Sequence, residues 1–259
     1  MRFQTELVPA RLIRRYKRFL ADCTLEDGRE VVAHCANPGS MMGLAEPGTK
    51  IWLEPNDDPK KKLKFGWRLV DHENGHFTGV DTSLPNKAIR AALMAREVAA
   101  LAEYPMVRPE VKYGTNSRID FLLSGEGLPD AYVEVKSVTL SRTQNLAEFP
   151  DSVTARGAKH LGELAEVARA GHRAILLYLV QRTDCTHVAM AEDIDPTYAA
   201  AHAEATRAGV ETLCIGTHIT PQGVTLAAPL VLGRPYRYKA FERLIGDSGE
   251  RTAARPSDP

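Results

Sequence analysis

The chain has 259 residues, 44% hydrophobic and 25% charged, with 33 basic side chains against 33 acidic ones. These are the proportions of an ordinary soluble globular protein, long enough for one large domain or two modest ones. No stretch approaches the roughly 20 apolar residues of a membrane helix, and Cys23, Cys35, Cys185 and Cys214 form neither a CxxC nor a Cys/His cluster, which argues against a zinc site or a disulfide frame.

The opening segment, MRFQTELVPARLIRRYKRF, lacks the apolar core and cleavage site of a signal peptide, so a cytoplasmic protein without a membrane partner is expected. The segment ARLIRRYKRFLADCTLEDGREVVAHCAN reads as two strands joined at Asp27-Gly28, a strong hairpin dipeptide. TKIWLEP, KLKFGWRLVDHENGHFTGV and the Asn74-Gly75 turn add three more, which suggests a five-stranded barrel or sandwich over residues 1–82. Positive charge collects at two places on it. Arg11, Arg14, Arg15, Lys17 and Arg18 accompany Tyr16 and Phe19, and Lys60, Lys61, Lys62, Lys64 and Arg68 accompany Phe65 and Trp67.

After TSLPN the pattern turns helical over 87–104, with Asn86 as cap and Pro105 beyond the end. Strand-like runs follow at 108–113, 118–123 and 131–138, then a helix at about 155–170 and the apolar strand RAILLYLV. A helix after Pro196, the strand VETLCIG, a hairpin around Gly223 and a polar tail complete the chain. Strands alternating with helices indicate an α/β domain with a mixed sheet over residues 83–259.

Three charges interrupt the strand-like run SRIDFLLSGEGLPDAYVEVKS. Side chains alternate along a strand, so Glu134 and Lys136 share one face, about 7 Å apart. A hairpin through FLLSGEGLPDAY would return Asp120 to the side of Glu134. Two adjacent carboxylates repel each other, and a hard cation, Mg²⁺ or Mn²⁺, with Asp120 and Glu134 as ligands would remove that repulsion. Such an ion activates water and balances charge in phosphoryl chemistry, while Lys136 would orient the attacking water or neutralise the transition state. The other reading of E-x-K is the solvated face of an antiparallel sheet.

Glu97 falls inside the apolar stripe of the 87–104 helix, where a carboxylate needs a partner; a metal would supply one, and so would Arg90, Arg96 or Lys112. On the helix at 155–170, Arg156, His160 and Glu163 lie along one side, where Arg156 and His160 could grip a phosphate or simply face solvent.

Asp120 followed by VEVK, behind an acidic helix, resembles the PD-(D/E)xK nuclease superfamily, with Ile119 in place of the leading proline. A more extensive likeness runs through HCANPGSMMGL, VDTSLPN, SRIDFLL, YVEVKSVTL and FPDSVTARGAKHLGEL, which are similar to the sugar fermentation stimulation protein family. That resemblance implies an OB-like barrel followed by a restriction-endonuclease-like α/β domain, and sequence-nonspecific DNA binding. It also implies a regulatory link to sugar (maltose) utilisation, which a non-cleaving DNA-binding regulator would satisfy as well as a nuclease. Asp120, Glu134 and Lys136 carry over as the catalytic set, with Glu97 as a fourth member, the third acid and third metal ligand.

An OB-type barrel holds single strands with a basic groove and aromatic faces. Arg14, Arg15, Lys17, Lys60, Lys61, Lys62 and Lys64 are therefore the expected contacts to DNA, or to single-stranded nucleic acid or RNA, joined by Arg156 and His160. NPGSMM at 37–42 is a further candidate contact, or else a structural corner. Phe19 and Trp67 could equally belong to the core.

Overall fold

The computed structural model describes residues 1–114 and 117–234; the polar tail read from the sequence lies outside them. Strands β1 (Val8–Tyr16), β2 (Leu20–Leu25) and β3 (Glu30–Cys35) form an antiparallel meander. β4 (Lys50–Pro55) pairs with β1 and β5 (Phe65–Asp71) with β4, and the parallel pairing of β3 with β5 closes a five-stranded barrel. A short β6 (Phe77–Gly79) extends β5. Inward residues alternate as the pleat requires: Leu12, Ala21, Cys23, Ala33, Ile51, Leu53 and Trp67 are all buried.

The stretch from Ala10 to Cys35, expected to form two strands, thus contributes to three. The missed turn runs through Lys17 and Arg18, at φ 48° and 63°. Such left-handed positions are normally marked by Gly or Asn, and here neither residue is present. Trp67 is a core residue, its indole N–H donating to the Leu69 carbonyl at 3.0 Å.

The second half opens with α1 (Leu84–Met94), then β7 (Met106–Tyr113), β8 (Ser117–Ser124) and β9 (Ala131–Val138). β10 (Leu140–Thr143) and β11 (Asn145–Phe149) lead into α2 (Ala155–Arg169), β12 (Arg173–Val180) and β13 (Cys185–Met190). α3 (Pro196–Arg207), β14 (Glu211–Thr220), β15 (Gly223–Pro229) and β16 (Val231–Leu232) finish it. The main mixed sheet has the order β15-β14-β12-β9-β8-β7, with β9, β12 and β14 parallel. A second, four-stranded sheet, β10-β11-β13-β16, was not expected. Its segments are short: LSRT and NLAEF are four and five residues long, too few for a strand period to show.

α1 packs on one face of the main sheet through Leu84, Ala88, Ile89, Ala92 and Leu93. α2 covers the other through Leu161, Leu164 and Ala165. The first helix is shorter than its composition suggests. It starts at Leu84, with Pro85 in the first turn where a missing N–H costs nothing, and stops at Met94. Arg96 then adopts φ 58° and the chain folds back, so Val98, Leu101 and Tyr104 reach the same core from a separate turn. Asn86 is therefore inside the helix and does not cap it.

Barrel and α/β domain are joined across residues 77–82. The Gly79 N–H donates to the Gln181 carbonyl at 2.8 Å, and Thr82 N–H to Ala36 at 3.0 Å. Leu7 and Leu69 of the barrel share an apolar cluster with α1. NPGSMM serves as a corner at this seam. Ser40 Oγ donates to the Asp151 carbonyl at 2.8 Å, and a side chain at Gly39 would collide with the Asp151 carboxylate. Among the described residues no helix is long and apolar enough to cross a membrane.

Candidate active site and nucleic-acid interface

The ladder between β8 and β9 ends at the pair Phe121–Val133. Beyond it the Val135 N–H has no strand partner on that side, and Asp120 Oδ2 accepts it at 2.7 Å. Asp120 Oδ1 accepts from Asn86 Nδ2 of α1, also at 2.7 Å. This carboxylate is held from two elements at the point where the strands part. Burial and the neighbouring Glu134 charge push its pKa up to about 6.

Glu134 is 3% exposed and faces α2. Its Oε1 accepts from Lys136 Nζ at 2.6 Å and from His160 Nδ1. Burial alone would raise its pKa, but the His160 hydrogen bond and the Lys136 charge outweigh that and hold it below the usual carboxylate range. Glu134 Oε2 is buried and has no partner among the described residues. An unpaired buried carboxylate oxygen is costly, and it identifies where a cation would fit.

His160 is not on a solvated stripe: it is 5% exposed, on the margin of the buried face of α2, and points at β9. Arg156 is exposed, with its Nε donating to His160 Nε2 at 3.3 Å. One turn further on, Glu163 accepts from Ser117 Oγ at 2.8 Å. Asn86, which stabilises Asp120, was read from the sequence only as a cap.

Glu97 corrects an expectation. The reversal at Arg96 carries it off the apolar stripe to an exposed position in the turn. Among the described residues no three His, Cys, Asp or Glu side chains cluster as ligands for one cation, at Glu97 or elsewhere. Among the acids expected at the site, Asp120 and Glu134 are the two that come together.

On the barrel, the two basic clusters flank one histidine. His34 of β3 is in register with Leu20 on one side and Gly66 on the other. Phe19, 44% exposed, stacks on His34 with ring centroids 6.4 Å apart and planes 22° apart. On the other side, His34, Lys61, Lys62 and Phe65 line a groove of about 620 Å³. Lys17, Lys60, Lys61, Lys62 and Lys64 are exposed.

The arginines expected here are already engaged. Arg14 pairs with Asp22 at 2.7 Å, and Arg15 donates to the carbonyls of Asn37 and Gly39 at 2.8 and 3.0 Å. Arg68 is bound to Glu54 and Asp81.

Comparison with known proteins covers both halves. Residues 83–223 match the model of the sugar fermentation stimulation protein RE domain, and residues 13–80 match that of the SfsA N-terminal OB domain. A sugar fermentation stimulation protein homolog of Roseobacter denitrificans is 77% identical over 231 residues, 89% of this chain and 98% of the relative. The homolog of Ruegeria pomeroyi is 77% identical over 227 residues, 88% of this chain and 99% of the relative. The structure of Pyrococcus furiosus SfsA in complex with Ca²⁺ aligns with a TM-score of 0.80 at 26% identity, covering 90% of this chain and 98% of that one.

Proposed function

Because the chain belongs to the sugar fermentation stimulation protein family, we propose that it binds nucleic acid on its barrel and cleaves phosphodiester bonds, with a divalent cation, at Asp120, Glu134 and Lys136. The observation that supports this best is the buried, unpartnered Oε2 of Glu134 beside an Asp120 carboxyl pushed up to about 6. Both features are what a carboxylate pair built around a missing positive charge would show. The Pyrococcus furiosus relative was solved with Ca²⁺, a cation of the same oxygen-seeking class.

Asp120 and Glu134 would hold Mg²⁺ or Mn²⁺, which when bound supplies an activated water and charge neutralisation at phosphate. The chain's own groups do the rest. Asn86 and the Val135 N–H keep Asp120 from rotating away. Lys136, anchored on Glu134, would offer its ammonium to the negative charge that grows on the scissile phosphate. The terminal nitrogens of exposed Arg156 are available to a flanking phosphate. Four free cysteines suit a reducing, cytoplasmic setting.

The exposed lysines and the Phe19–His34 stack would carry binding, so affinity should fall with salt by about 0.7–0.9 log units per log unit for each neutralised phosphate. Replacing Lys60, Lys61 and Lys62 together by Gln should flatten that slope in a fluorescence-anisotropy titration, while Glu134→Ala leaves binding intact or stronger. An unchanged slope would remove the β4–β5 loop from the interface. A regulator that binds without cutting would pass this test too, and only a cleavage assay separates it.

A further inference from the structure

Building on the metal-site reading above, we infer that His160 is a positioning residue for Glu134 and that Arg156 sets its tautomer. The Arg156 guanidinium can only donate, so its Nε occupies the lone pair of His160 Nε2 across 3.3 Å. The ring proton is thereby assigned to Nδ1, which faces Glu134 Oε1 and donates to it; Lys136 Nζ, 3.5 Å from Nδ1, spends its hydrogen bond on Glu134 instead. Lys136 Nζ binds the same oxygen at 2.6 Å. Both donors on Oε1 hold the carboxylate in one orientation and leave Oε2 as the oxygen without a partner among the described residues, the one a cation would take.

A role gripping phosphate does not fit His160. The side chain is 7% exposed, and both ring nitrogens are taken by Arg156 and Glu134. Groups that orient a metal-binding carboxylate typically change metal affinity by about 10- to 100-fold when lost. In sequence the arrangement reads Arg-x-x-x-His, one helical turn, so both side chains reach the same side of α2.

Calorimetric titration of Mn²⁺ into the full chain tests this. His160→Leu should weaken binding by about 10- to 100-fold. His160→Asn, whose Nδ2–H can replace the Nδ1–H donor, should stay within about threefold of the unmodified chain, whereas a volume-filling role would not distinguish them in this direction. A long-range nitrogen–proton NMR spectrum of the unmodified protein should show the Nδ1–H tautomer at His160, and Arg156→Gln should erode that preference. This spectrum keeps the inference open to refutation even if His160→Leu fails to fold.

Equal Mn²⁺ affinity in His160→Leu, or an Nε2–H tautomer in the unmodified chain, would overturn the inference alone. Absence of any Mn²⁺ binding by the unmodified chain would overturn the metal-site reading and the inference with it.

Discussion

Lys136→Met is expected to reduce Mn²⁺-dependent cleavage of labelled oligonucleotides by about 10³-fold or more while nucleic-acid binding persists. Methionine keeps the length and apolar stem of lysine but removes the ammonium that lies 2.6 Å from Glu134. Glu134 retains the His160 donor, so the site should stay assembled and the loss should fall on turnover. Asp120→Ala is expected to be as damaging by another route. It removes one of two converging carboxylates and strands the Val135 N–H and the Asn86 amide, both of which donate to Asp120. Retained cleavage in both variants would assign the chemistry to some other place on the chain.

Arg68→Met should destabilise the fold by about 3–5 kcal/mol, the usual cost of stranding buried charge. Arg68 binds Glu54 at 2.7 Å and also Asp81, and these two carboxylate side chains are only 8% and 9% exposed. Their other contacts show what the arginine holds together. Glu54 accepts the Gln4 N–H at 2.6 Å, fastening the N-terminal segment to the barrel. Asp81 accepts the Ser83 N–H at 2.8 Å and so sets the start of α1, the helix that carries Asn86 to Asp120. Urea denaturation would measure the change, with Arg14→Met, which breaks a solvent-screened pair on a 67% exposed arginine, expected to leave the midpoint nearly unmoved. Equal effects in the two variants would refute the claim that Arg68 organises the seam.

The neighbourhood of Asp120 and Glu134 could be read from sequence because it rests on local rules. Strand alternation puts Glu134 and Lys136 on one face, and the turn between Ser124 and Ala131 returns the chain at the required distance. His160 was harder to place. Helical spacing alone gives an Arg156, His160, Glu163 stripe, and nothing in that period says that the stripe's margin turns inward onto β9. Glu97 misled for the opposite reason: its position in a helical period has meaning only if the helix continues, and it ends at Met94. The Lys17–Arg18 turn lacks the residues that usually announce one, so a strand was missed. Arg68 looked like part of a basic loop, because its acidic partners, Glu54 and Asp81, come from elsewhere in the chain and meet it only in the folded barrel.

The most direct test of the account is a crystal grown with Mn²⁺ and measured for anomalous scattering. One ion bound by Glu134 Oε2 and the Asp120 carboxylate, with Lys136 beside it, is the result the account requires. An ion elsewhere, with Lys136 and His160 still closed on an empty carboxylate pair, would contradict it.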